Sequence, residues 1–532
     1  MRNLAKLIIA LQLCIYSSFS FPSSQLSVQT ISNISPKHKG KKTSELNICN
    51  LEQRQAPMYC YCNHDEIGTA TDANCLILET LKSDDLIWGY FNSQSAIEKL
   101  SLTVRVGGNM SHVPSKTIRL LPNLKVINIQ YANIEEVAEK AFSDLPSITV
   151  INIARCGIIN LKKHSFVNIS KVDVINLDDN HIVEINREVF VHLPVLKKLF
   201  INRNNITFLH DRAFKHLTSL QELELSDNNI SVITTDNFNG LKSLIRLILR
   251  SNKISMIGDS TFVEMPELRE LELDGNMIEY ISVNAFDKMR NLRKLSLSDN
   301  KLTQLEADVF AGATAINFLD LRNNSLVTMT FDNIKPIVTN FYGDTGYLYL
   351  EDNKLICDCN LAWIEGLKNE TINQKLKDSL DFLTCFREAK NISTHTDAKE
   401  VKTGTAGGST GEILDVNKSR ERHHVQHETA SYMDDNNKSD NDYYEDYPDS
   451  PSKTNNAKLQ LVDGRMGYIK HLFELKLEKL PCPEQSRDDP LASEQPSNRR
   501  ENAAVASEAS THIQHVVTIG QWLLLFAPLL LV

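Results

Sequence analysis

A basic surplus is missing: 57 Lys and Arg stand against 67 Asp and Glu, a formal net charge of −10. Phosphate backbones are bound through such a surplus, so nucleic acid is not an expected partner. A catalytic constellation is missing too. The glycine-rich stretch GTAGGSTG lacks the lysine of a phosphate-binding loop and follows no strand–helix pattern. HHVQHE offers His423, His424, His427 and Glu428, but zinc needs ligands fixed by a second shell, which a low-complexity segment does not supply. No serine, cysteine or carboxylate stands in a nucleophile or acid–base setting. An enzyme, a cofactor, a metal and a small-molecule substrate are therefore not expected.

Basic residues are also absent after the apolar run VVTIGQWLLLFAPLLLV, Val516 to Val532. A membrane span ordinarily leaves a cytoplasmic flank, often basic. A tail ending inside the apolar run fits a GPI-attachment signal: small residues, a polar spacer of about 8 to 12 and an apolar tail of about 10 to 20. Asn502, followed by Ala503 and Ala504, is the expected anchor site, with Ser507 as second choice and a short single span as the alternative. At the other end, Arg2 and Lys6 precede LIIALQLCIYSSF, and Ser18 and Ser20 offer a cleavage site, the pattern of a secretory signal peptide. Ten Asn-x-Ser/Thr sequons agree with that route: Asn33, Asn109, Asn168, Asn205, Asn229, Asn323, Asn369, Asn391, Asn417 and Asn437.

What the sequence does have is a period. LPVLKKLFINRNNITFLHDRAFKH, LTSLQELELSDNNISVITTDNFNG, LKSLIRLILRSNKISMIGDSTFVE and MPELRELELDGNMIEYISVNAFDK, from 193 to 288, align without a gap at 24 residues. One column reads Ala132, Cys156, Asn180, Asn204, Asn228, Asn252, Asn276, Asn300 and Asn324, with Asn353 after a longer unit; another reads Phe142 and every 24th residue to Phe310. The leucines should fill a core shared only with neighbouring turns. An asparagine amide, donor and acceptor at once, should satisfy buried backbone groups where the chain bends. The phenylalanines should stack on the return side. Cys156 takes an asparagine slot, so it reads as a buried free thiol. These units are identified as leucine-rich repeats, predicting an α/β-type repeat solenoid: a horseshoe of about ten 24-residue turns with parallel concave strands, about 43 Å long at the usual spacing between strands.

Nine regular units run from 121 to about 340, GYLYLEDNKLICDC supplies a tenth, and IEKLSLTV looks like a degenerate opening unit. Solenoid ends need caps. Of the ten cysteines, Cys14 leaves with the signal peptide, Cys49, Cys60, Cys62 and Cys75 precede the repeats, and Cys357, Cys359, Cys385 and Cys482 follow them. In a secreted chain such clusters read as disulfides. The expected organisation is a signal peptide (1–20), a flexible segment (21–48), an N-terminal cysteine cap (49–96), a degenerate repeat (97–120), repeats (121–356), a C-terminal cysteine cap (357–482), a stalk (483–502) and the removed GPI signal (503–532). A low-complexity insert at about 391–457 interrupts the second cap and is expected to be disordered.

Two stretches invite a functional reading. Around Tyr443, Tyr444 and Tyr447 the insert is densely acidic; it is either a solvating loop or a tyrosine-sulfation segment. On the concave strands, Lys198, Glu222, Arg246, Glu270 and Lys294 alternate in sign. Structurally that is a cross-strand ion ladder. Functionally, a two-fold axis between the Glu222 and Arg246 strands would oppose Lys198 to Glu270 and Glu222 to Arg246, making the face self-complementary.

The phrases MYCYCN and QYANIEEVAEKAF, the acidic insert and the terminal signal resemble those of GPI-anchored, extracellular leucine-rich-repeat adhesion proteins. The resemblance implies first-to-third and second-to-fourth pairing in the N-terminal cap, a C-terminal cap closed by Trp363 with Cys385 on Cys357, and homophilic adhesion in axon–muscle target recognition. It leaves the partner of Cys482, 97 residues beyond Cys385, open. The alternatives are a tethered heterophilic receptor or co-receptor, and a secreted matrix component.

Overall fold

The computed structural model describes residues 46–51, 56–389, 459–462 and 464–482. The chain divides into a short unit, Met1–Leu46, and a second, Asn47–Val532, that carries every element described below.

That unit is a solenoid built on one thirteen-stranded sheet. Its strands, in chain and sheet order, are β1 (Met58–Cys62), β2 (Asp72–Ile77), β3 (Lys99–Val104), β4 (Val126–Gln130), β5 (Val150–Ala154), β6 (Val174–Asn176), β7 (Lys198–Phe200), β8 (Glu222–Glu224), β9 (Arg246–Ile248), β10 (Glu270–Glu272), β11 (Lys294–Ser296), β12 (Phe318–Asp320) and β13 (Tyr347–Tyr349). β1 pairs antiparallel with β2, and every later pairing is parallel. Register advances by one repeat per strand, as Lys198–Glu222, Glu222–Arg246 and Arg246–Glu270 show. Identical side chains therefore recur at identical depth.

The spacing of the leucines follows from this geometry. Leu223 points inward from the centre of β8, and Leu220, Leu225, Ile230 and Ile233 point inward from the turns around it; the first four are fully buried. Strand alternation accounts for one step of two, and the bends before and after account for the steps of three. Each bend passes through a left-handed residue: Asp179, Arg203, Asp227, Ser251, Gly275 and Asp299 all have φ between 52° and 67°. The next residue is the ladder asparagine. Asn228 accepts a hydrogen bond at Oδ1 from the Ile206 N–H one turn back (3.0 Å), and its Nδ2 donates to the Ile201 and Leu225 carbonyls (2.9 and 3.0 Å). The same bridge recurs at Asn252, Asn276, Asn300 and Asn324. On the return side the Phe142, Phe166 and Phe190 rings stack at 5.2 and 5.3 Å, and those of Phe238 to Phe310 at 6.0 to 6.1 Å, with Phe214 buried in the same column.

Both ends are closed covalently. Cys49–Cys62 and Cys60–Cys75 hold the β1–β2 hairpin over the first turns. At the far end the helices Trp363–Glu370 and Gln374–Asp381 cover the last turn, and Trp363 donates its indole N–H to the Met329 carbonyl at 2.8 Å. Cys357 joins Cys385, and Cys482 joins Cys359. A small antiparallel sheet completes this cap: Thr384–Glu388 pairs with Arg465–His471, which pairs with Leu459–Val462. Cys156 is a free, buried cysteine.

Candidate functional site: the concave sheet

On β6 to β13 the central residue of each three-residue strand is buried and its two neighbours face outward, and on β4 and β5 Ile127 and Ile151 hold the same buried place, so two columns of side chains pave the concave face. The first column carries the charge ladder. Lys198 Nζ lies 2.9 Å from Glu222, Arg246 Nη1 lies 3.2 Å from Glu222, and Arg246 Nε faces Glu270 at 3.3 Å. Glu222, with a side chain only 14% exposed, sits between two cations. Exposed pairs such as Arg246–Glu270 are each worth about 0 to 1 kcal/mol.

The last rung differs from simple alternation. Lys294 turns to Glu272, in the second column, at 2.8 Å. The Glu272 side chain is 4% exposed and also draws Arg246 (3.7 Å) and Arg250 (3.6 Å). A buried carboxylate needs compensation more than the half-exposed Glu270 does, so it captures the ammonium. In the same column burial pushes the Glu224 carboxyl up, with Glu222 adding to the rise and the Asn202 hydrogen bond opposing it. Burial likewise raises Asp178, against bonds from Asn202 and the charge of Arg203. A recess of about 380 Å³ opens here between Asn202, Arg203 and Glu272, with polar walls.

The two ends of the face are different surfaces, and sequence reasoning passed over both. Toward the N-terminus, Val126, Val150 and Val174 form the first column and Asn128, Asn152 and Asn176 the second, all half-buried and uncharged. The signal was present as VIN at 126, 150 and 174. Toward the C-terminus, Phe318, Tyr347 and Tyr349 form a ring cluster with centroids 5.6 to 6.2 Å apart. Arg322 lies 4.8 Å from the centre of the Tyr349 ring and Lys294 lies 5.6 Å from that of Phe318, both within cation–π range. Asp320 holds Arg322 through Nη2 at 2.6 Å and raises the guanidinium pKa further.

The described sequon asparagines lie off the outward positions of β4 to β11. Asn168 follows the return-side strand Phe166–Val167, with its amide on Asp144 at 3.1 Å; Asn205 and Asn229 each follow a ladder asparagine. Asn109 is in the short strand Asn109–Met110, Asn323 precedes Asn324 with its amide on Asp299, and Asn369 is exposed on the capping helix. Asn33, Asn391, Asn417, Asn437, Tyr443, Tyr444, Tyr447 and Asn502 lie outside the described residues, as do the histidines of HHVQHE and both terminal signals. Among the described residues no cluster of three His, Cys, Asp or Glu is placed to hold a metal, and no helix is long and apolar enough to cross a membrane.

Parallel strands in a 24-residue register, an asparagine ladder and disulfides near both ends define a leucine-rich-repeat protein, and the leucine rich repeat family matches residues 148–206, 170–230, 220–278 and 266–326. Such repeats typically serve as interaction scaffolds, and the disulfides suit an extracellular or cell-surface protein. Within that class the chain resembles Connectin of Drosophila melanogaster, to which it is 43% identical over 70 residues, 13% of this chain and 10% of Connectin. Solved structures similar to this chain include the TLR13–ssRNA13 complex (20% identity, TM-score 0.39, 58% of this chain and 53% of that one). The Toll–Spatzle complex of Drosophila is another (21% identity, TM-score 0.42, 58% of this chain and 44% of that one).

Proposed function

We propose that this protein is a GPI-tethered adhesion molecule that recognises a second copy of itself on an opposing cell, as between axon and muscle, through the concave sheet. The observation that carries the reading is the alternating ladder of Lys198, Glu222, Arg246, Glu270 and Lys294 on a face whose middle bears no described sequon asparagine. A surface of alternating sign is complementary to its own two-fold image. The resemblance to Connectin supports the class of activity. The signal peptide, the anchor at Asn502 and glycosylation at the sequons belong to the same proposal, as does sulfation of the acidic tyrosines.

One observation favours a second reading. The ladder charges are already paired within the chain, which lowers what a partner's charges can add. A tethered receptor for a different protein would use the aromatic end of the face instead.

A mixing assay separates the two. Non-adherent cells displaying the full chain, in one dye, are shaken with differently dyed cells lacking it. Clusters made only of displaying cells are expected. Displaying cells that stay single despite verified surface display would remove homophilic adhesion and leave the receptor reading. Release of the protein by a GPI-specific phospholipase is the companion check on the tether, and retention of the protein on the cells would refute it.

A further inference from the structure

Sign alternation alone does not fix how two copies would meet. A two-fold axis parallel to the strands, placed between any neighbouring pair from β7 to β11, opposes unlike charges. The turns flanking the ladder, valine–asparagine on one side and aromatic on the other, decide among these registers. We infer that the axis lies between β8 and β9, so that the aromatic end of each sheet covers the valine–asparagine end of the other. The inference rests on the homophilic reading and goes beyond it by naming the contact.

In this register the first column pairs Glu222 with Arg246, Lys198 with Glu270, Val150 with Phe318 and Val126 with Tyr347, leaving only Val174 against Lys294 unmatched. In the second column Asn128 meets Tyr349, Asn152 meets Asp320 and Asn176 meets Ser296, amides opposite groups that accept or donate hydrogen bonds, while Phe200 against Glu272 and Glu224 against Ile248 are unmatched. The side chains concerned are half-buried in the single chain, apart from Asp320 and Ser296, which are buried, and Lys198, which is exposed. Both columns lie on strands of matched spacing, so the pairs stay in register; because both faces are concave, the flanking turns meet first and the ladder faces its image across a wider gap.

Shifting the axis by one turn loses this. Between β9 and β10, Tyr347 falls on Val174 and Phe318 on Lys198, while Val126 and Val150 run past the partner's last strand. Between β7 and β8, the valines at 126, 150 and 174 fall on Lys294, Glu270 and Arg246, stripping charges of water with nothing in return. Only the β8–β9 axis lays two aromatic side chains per copy on apolar partners, and aromatic residues beside arginine are the usual anchors of an interface. The ladder then sets orientation, because its charges are satisfied before and after contact, and the ends supply most of the affinity.

The test uses the full chain on cells. One population carries Val150→Cys and the other Phe318→Cys, each with its own epitope tag. After mixing and mild oxidation, a doubly tagged, reducible dimer is expected at the junctions, and none when either population is mixed with itself. Val174→Cys against Tyr347→Cys probes the register shifted by one turn. A dimer from that pair in place of the first overturns the β8–β9 register while leaving homophilic adhesion standing. No dimer from either pair, in cells that still cluster, overturns the use of these ends altogether. Cells carrying the wild-type chain that do not cluster remove the homophilic reading itself. As a second readout, Phe318→Ala with Tyr347→Ala should raise the self-dissociation constant at least tenfold with the unfolding temperature nearly unchanged. A smaller rise would count against the ends as anchors.

Discussion

The ladder asparagines show how much one side chain can hold. Asn252 accepts from the Ile230 N–H (3.0 Å) and donates to the Leu225 and Leu249 carbonyls (2.9 and 3.1 Å), all in the dry core. Asn252→Ala strands these groups at about 1 to 3 kcal/mol for each one left without a partner. A loss of about 3 kcal/mol is expected by denaturant titration, with secretion reduced. Position 156 shows what happens when the amide is missing. The Ile134 N–H, which an asparagine would have taken, donates to the Cys156 backbone carbonyl at 2.7 Å, and the thiol reaches the Ile129 carbonyl at 3.2 Å. Burial pushes that thiol up to about 12. Thiolate is the reactive form, so native protein should resist maleimide at pH 8 and react only once unfolded. Because the folded pKa lies above the unfolded one, this thiol's contribution to stability is complete below about pH 9 and is lost as pH rises toward 12, which melting curves across that range would record.

At the scale of elements, the repeats were legible because every inward position is constrained by the turns on either side. Leu223 cannot change without disturbing Leu199 and Leu247, its partners in β7 and β9. Outward positions carry no such constraint. That is why the change from valine to charge to aromatic along the first column escaped notice, and why the turn of Lys294 toward Glu272 depended on burial that only the fold reveals. The hairpin of Leu459–Val462 and Arg465–His471 also went unread, although Gly464, at φ +79°, marks the turn between two β-rich runs. This hairpin explains how a long insert can interrupt a cap. Glu388 and Gln460 both pair with Gly467, from opposite sides, so the chain leaves and re-enters the sheet about two strand spacings apart, about 10 Å. Replacing residues 391–457 with a linker of about six residues should preserve Cys357–Cys385 and Cys359–Cys482 and stabilise the cap by about 2 kcal/mol through the shorter loop. Peptide mapping of the disulfides and thermal unfolding would check this. A scrambled Cys482 would refute it.

Over the whole molecule, stability and recognition are carried by different columns. The buried leucines, asparagines and phenylalanines hold each turn to its neighbours, as expected of a one-dimensional array, while the outward columns are free to vary. Reversing Glu222 and Glu270 to lysine makes five rungs positive. Because the Lys198 and Arg246 side chains that pair with them are about half-exposed, unfolding should shift by only about 2 kcal/mol, whereas clustering in the mixing assay should disappear. Equal loss of both would assign the ladder to the fold alone.

Alternation also gives the array a parity that its period lacks. Deleting residues 217 to 240 would bring β7 against β9 and set Lys198 beside Arg246. Deleting 217 to 264 would set Lys198 beside Glu270 and keep the signs in order. Geometrically the unit is one turn; electrostatically it is two. Duplication or loss of repeats in this stretch therefore preserves the face only when turns come and go in pairs.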